Sequence, residues 1–215
     1  MLNKLRLTLW LAIIPLGVIA CSADSGQLPG PDAGPDGTMP DAQLDAQPTR
    51  TCHFPEELGD LALNFEGRVL NQQLPDDPDA LYAYLVAEID PRPPHELATI
   101  QLYPGFGVFD PELVTGSFSF EGVETDFYTC GACVVLFGNE GALDQQYYVP
   151  SSGTLNLSMA STVAGTTVEG SLENVTLRQV ILDDEIQMQT DVADPCSVTI
   201  DTLTFTATLT EASAR

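Results

Sequence analysis

Residues 202–210, TLTFTATLT, put Leu203, Phe205, Ala207 and Leu209 on one side of an extended chain, with a threonine at every position between them. A period of two marks a strand with one face buried, whereas a helix would scatter these apolar residues around its circumference. The pattern recurs in LALNFEG (61–67), where Leu61, Leu63 and Phe65 alternate with Ala62, Asn64 and Glu66. It recurs again in TLNLSM (154–159), through Leu155, Leu157 and Met159. Turn clusters separate these runs: LPDDPDA, DPRPPHE, YPGFG, GNEG, PSSG and DVADPC. Further strands are expected near 97–103, 116–120, 133–137, 145–149 and 166–181. ALYAYLVAEI (80–89) carries Leu81, Leu85 and Ile89 at helical spacing and Tyr82, Tyr84 and Val86 at strand spacing, and the surrounding β context assigns it to a strand. The expected fold is all-β: an antiparallel two-sheet sandwich, jelly-roll-like in its winding.

The N-terminus follows different rules. Residues 1–20 contain Lys4 and Arg6, then an apolar stretch from Leu7 that ends at Ala20. A basic start, an apolar core and a small residue at the end describe an export signal. The stretch falls short of the roughly 20 apolar residues that span a bilayer. It ends in Val18-Ile19-Ala20-Cys21, which resembles the lipobox of bacterial lipoproteins. That resemblance implies cleavage before Cys21, acylation of its thiol and amine, and, with Ser22 in place of an acidic residue, the outer membrane. Two or more acyl chains are what stable anchoring requires.

Residues 22–51 hold five Pro, four Gly and five Asp, with few aliphatic residues and no aromatic one. Such a composition offers too little apolar area to offset the entropy of ordering. Residues 21–51 are therefore expected to be a lipid-anchored linker, reaching on the order of 90 Å if proline keeps it extended. Cys52–Arg215, 164 residues, is then one β domain. The Asp/Pro-rich tail resembles those of uncharacterised envelope lipoproteins of myxobacterial type. TGSFSFEGVETDFYTCGACVVLFGN and GTLNLSMA resemble their β domains, a likeness that implies fold and location only.

In 52–215, four arginines face 26 acidic residues, a formal charge of −22. Phosphate recognition needs a cationic patch, so nucleic acid is excluded as a partner. Neither His53 nor His95 lies in a metal or triad pattern, and no nucleophile elbow or phosphate loop is present. No catalytic residue is assigned. The acidic clusters Asp76, Asp77, Asp79 and Asp183, Asp184, Glu185 read as solvated loops, with Ca²⁺ as the alternative occupant. Tyr82, Tyr84, Tyr103, Phe106, Phe109, Tyr147 and Tyr148 are the aromatic residues from which a glycan platform would be drawn, although most are expected in the core or in cross-strand pairs.

Cys130-Gly131-Ala132-Cys133 has the spacing of thiol–disulfide enzymes. A redox pair needs a helix N-terminus or a cation to stabilise the thiolate. Here VVLFG after Cys133 reads as a strand and the domain is strongly acidic. Four cysteines, Cys52, Cys130, Cys133 and Cys196, in an exported chain therefore read as two structural disulfides. Cys130–Cys133 demands a turn, which Gly131 permits, and would leave Cys52–Cys196 to tie the ends of the domain; crossed pairings stay open. The function expected is a lipid-anchored envelope protein with a non-catalytic binding or structural module, for a glycan or protein ligand. The alternative is a small hydrolase using paired carboxylates.

Overall fold

The computed structural model describes residues 52–72, 77, 79–90, 92 and 95–211. The signal segment, Cys21 and the linker up to Thr51 lie outside the described residues, as does Asp76. Ten strands follow one another: β1 (Glu57–Ala62), β2 (Glu66–Asn71), β3 (Leu81–Asp90), β4 (His95–Leu102), β5 (Gly116–Ser119), β6 (Ala132–Glu140), β7 (Gln146–Met159), β8 (Thr167–Asp183), β9 (Met188–Asp191) and β10 (Ser197–Glu211). Two short 3-10 turns, Gly107–Phe109 and Gly122–Thr125, are the only helical elements among the described residues. The fold is all-β, and the ambiguous segment 80–89 falls in strand β3 (Leu81–Asp90). No described helix is long and apolar enough to cross a membrane.

All ten strands belong to one hydrogen-bonded sheet. β2, β3, β4, β6, β7 and β8 form an antiparallel meander. β8 then pairs antiparallel with β10, and β10 pairs parallel with β2. The ladder thus closes on itself, so the ring presents no continuous open edge. The pairing is mixed rather than wholly antiparallel, because β1 also lies parallel on β10.

The parallel seam runs in one register. Asp60 faces Thr202 and Ala62 faces Thr204; beyond a gap at 63–65, Gly67 faces Leu209 and Val69 faces Glu211. LALNFEG is therefore two strand ends laid along one neighbour, with the ladder broken between them. The buried Phe65 packs edge-on against Phe205 at 5.9 Å.

Three adjacent strands change their inward-facing parity at one level. On β10 the buried set steps from Val198 and Ile200 to Leu203, Phe205, Ala207 and Leu209. On β8 it steps from Leu177 and Val175 to Leu172, across Asn174 with φ 51. On β7 it steps from Tyr148 to Leu155 and Leu157, with register shifts through Pro150–Thr154. An unpaired residue bends a strand and increases its local twist. PSSG (150–153) is consequently a bulge inside one long strand rather than a turn, and the expected segments 145–149 and 154–159 are both parts of β7.

The ring's interior is filled by apolar side chains from every one of its strands, among them Leu85, Ile100, Leu136, Tyr148, Leu155 and Leu203. Phe205 sits opposite Gly170, where an added methyl group would meet its ring at 2.7 Å. Such pairing of a large with an absent side chain fills the interior without strain. The outer surface has two characters. Exposed Thr204, Thr206 and Thr208 lie beside Ser171, Glu169 and Thr167, a wet hydroxyl face. On the outer side of β6–β8, buried Val135, Val149 and Val180 form a second small core with Phe127, Phe137 and Tyr147. β6 is thus covered on both faces, which is why ACVVLF shows no alternation.

Candidate functional site

β3 turns Ala83, Leu85 and Ala87 inward, so its alternate residues Tyr82 and Tyr84 stand half-buried on the outer face. Tyr103, just past the end of β4, stacks on Tyr82 with ring centroids 4.4 Å apart and planes at 20°. Phe106 meets Tyr103 edge-on at 6.3 Å. The Tyr103 hydroxyl donates to Gln101 Oε1 at 2.5 Å, and Arg68 lies opposite Tyr84 on β2. Burial raises the pKa of both Tyr82 and Tyr84, so both hydroxyls stay protonated across neutral pH. The result is a strip of aromatic faces flanked by planar amide and guanidinium groups.

The loop carrying Phe106 is held by a carboxylate that sequence reading did not single out. Glu124 is buried and accepts from the backbone N–H of Val108 at 2.8 Å, of Gly131 at 3.2 Å and of Ala132 at 2.8 Å. A buried carboxylate is tolerated when several donors share its charge. Gly107, at φ 46, leaves the space this approach needs, and Gly131 leaves room for the Phe106 carbonyl, which an added Cβ would meet at 2.2 Å. Nothing local marks Glu124, because its partners lie 7, 8 and 16 residues away along the chain.

The cysteine pairings are resolved. Cys130 bonds Cys133, with Cα atoms 5.4 Å apart, and Cys52 bonds Cys196 across 144 residues. The chain bends at Gly131, between the two cysteines, which supplies the reversal the short bridge requires; the Cys130 N–H donates to Asp126 O in the turn that precedes it. Cys130 and Cys133 are 5% and 2% exposed, and β6 begins at Ala132. A strand rather than an α-helix N-terminus follows the pair, so no helix dipole is directed at either sulfur.

The two histidines lie toward one end of the ring among carboxylates. His53 Nε2 is 3.8 Å from Asp144, and His95 Nδ1 is 3.7 Å from Glu88. Glu96 faces Asp90 across the β3–β4 ladder; burial, and then the charge of Asp90, raise its pKa. Among the described residues, neither histidine is hydrogen-bonded to a serine, threonine or cysteine. Among the described residues no group of three or more His, Cys, Asp and Glu is placed to hold a metal ion. Asp183 Oδ1 instead accepts from the N–H of Glu185 and Ile186, capping the β8–β9 turn, and Asp184 accepts from the Tyr128 hydroxyl at 2.9 Å. Asp77 and Asp79 are exposed on the β2–β3 connection.

The remaining aromatic residues divide. Phe109 and Tyr148 are fully buried core residues, and Tyr148 packs edge-on against Phe54 at 5.2 Å. Tyr147 belongs to the second core with Phe137 and Phe127. A shallow depression of about 410 Å³ on the wet face is lined by Gly116, Asn156, Ser158, Glu169 and Ser171, among others, with a single carboxylate and no aromatic ring.

No protein-family model, curated protein or solved structure matches this chain. Geometry alone therefore ranks the surfaces. The Tyr82–Tyr84–Tyr103–Phe106 strip is a described surface where aromatic faces and planar polar groups meet, whereas the depression near Glu169 carries no aromatic ring.

Proposed function

We propose that this chain is a lipid-anchored protein of the bacterial outer membrane, held through Cys21 and the linker that follows it, with a non-catalytic binding module as its β domain. The observation that carries this reading is the Cys52–Cys196 disulfide. It clamps the point where the linker enters the domain to the start of β10, the strand that closes the ring. A tethered domain is pulled at its attachment point, and a covalent clamp there passes the load to the sheet. Paired cysteines also accord with an oxidising compartment.

Two further features favour binding over hydrolysis. The ring is filled rather than hollow, and the depression on its wet face brings one carboxylate where glycoside hydrolysis needs two. The aromatic strip is the surface we assign to a glycan or protein ligand. At the level of architecture, we read the closed ring as flattened into two facing layers, with the parity steps of β7, β8 and β10 at one corner. Its meander order means that these layers are not wound as a jelly roll.

The deciding experiment is metabolic labelling with an alkyne fatty acid. The wild-type chain should incorporate label and partition into the detergent phase, and Cys21→Ala should do neither. An unlabelled, water-soluble wild-type protein would end the lipoprotein reading.

A further inference from the structure

The β8–β9 hairpin combines three properties found together nowhere else among the described residues. β9 pairs with β8 alone, so its second edge offers backbone donors and acceptors. Ile181, Ile186 and Met188 are 57%, 62% and 48% exposed on this one hairpin. Asp183, Asp184, Glu185 and Asp191 surround them, with Arg178 as the near cation, paired to Asp191. Two residues before Ile181 on the same strand face, Gln179 is 7% exposed and its Oε1 lacks a hydrogen-bond partner.

We propose that the free edge of β9 docks an extended cationic polypeptide segment by strand addition, its apolar side chains lying on Ile181 and Met188. An exposed edge is ordinarily a hazard, because it invites pairing with any strand. Here charge selects the occupant. A second copy of this domain brings −22 of like charge, and the linker 22–51 brings five aspartates against Arg50 alone. Both are repelled by the four carboxylates, whereas an opposite charge is drawn to them. Backbone pairing would supply affinity, and alternating side chains the register. The hairpin is pinned on one side only. Gln189 accepts from the Phe127 N–H at 2.9 Å and donates to Thr125 O at 3.0 Å, leaving the opposite face and the edge open. The inference does not depend on the lipid anchor.

The probe is a capped octapeptide of alternating Lys and Val, titrated into the full chain with amide hydrogen exchange as readout. Saturable binding should newly protect amides of Met188–Asp191, and affinity should fall about tenfold between roughly 0.05 and 0.5 M salt. The same peptide N-methylated on alternate residues should not bind. The double variant Ile181→Ser/Met188→Ser, altered only at exposed positions and checked for an unchanged Tm, should lose about tenfold in affinity. Equal binding of the N-methylated peptide, protection confined to other strands, or no binding at low salt would each overturn the proposal. So would self-association of the free chain that the double variant abolishes.

Discussion

A methyl group in place of the Gly107 hydrogen would lie 1.8 Å from Oε1 of Glu124. The two residues are therefore one device: the glycine exists so that the carboxylate can reach three backbone amides. Gly107→Ala should destabilise the domain by about 2–4 kcal/mol, from the clash and from the left-handed φ of 46. Glu124→Gln should cost about 1–3 kcal/mol, because the new amide nitrogen turns a donor toward donors. Urea denaturation of both variants checks this, and an unchanged midpoint for either would show that the loop is held some other way.

The two disulfides should differ in worth. The Cys52–Cys196 bridge closes a loop spanning 144 residues, which the chain-entropy model values at about 5 kcal/mol, against about 2 kcal/mol for Cys130–Cys133. Replacing both members of each pair by alanine and measuring guanidinium midpoints should give that order. Neither variant is expected to alter any disulfide-exchange activity. A native protein that is reduced rapidly by mild thiol while turning over a disulfide substrate would reverse the structural assignment.

Acid should act on Glu96 and Asp90 in opposite senses. Burial, then the charge of Asp90, raises Glu96, so the folded chain binds more protons than the unfolded one between the ordinary carboxylate range and the raised value. Stability falls as pH rises through that window and stays lower above it. Glu96→Gln should thus raise Tm slightly at neutral pH and have no effect well below the usual carboxylate range. Hydrogen bonds from the Arg92 side chain and backbone hold Asp90 down at about 2. Its contribution is present above the ordinary range and lost as pH falls toward that value. Thermal unfolding of Glu96→Gln and Asp90→Asn across acidic and neutral pH separates the two signs.

The aromatic strip makes a separable prediction. Tyr84→Ala and Phe106→Ala should abolish binding on a glycan or envelope-protein array while lowering Tm by only a few degrees, since neither ring is fully buried. Equal loss of binding in a distant wet-face variant such as Thr206→Ala would locate the ligand elsewhere.

Much of this architecture could be read from side-chain alternation alone. The 203–209 stretch of β10 and the inward Leu155 and Leu157 follow it strictly, and β3 does so once Tyr82 and Tyr84 are seen to point outward. What escaped reading has a common physical origin. Ring closure, the bulge at 150–153 and the three donors to Glu124 depend on residues far apart in sequence, and Pro150-Ser-Ser-Gly is locally the composition of a turn. Phe109 and Tyr148 could not be told from Tyr84 and Phe106 by residue type, because an aromatic ring suits a core and a platform equally. The pairing of the four cysteines depended on the bend at Gly131 and on the approach of Cys52 to Cys196, which are 144 residues apart.

The seam between the strand ends at 60–69 and their partners at 202–211 fixes when the ring can be completed. The other ladders of the ring join strands with at most one strand between them in the chain, but this one joins the first strand of the ring to the last. A chain shortened before Leu209 keeps most of its hairpins yet lacks the β2–β10 contact that shuts them into a ring. Contacts of such sequence separation are slow to form. The domain is thus built to stay open through most of its own synthesis, the condition in which a polypeptide can still be threaded through a narrow pore.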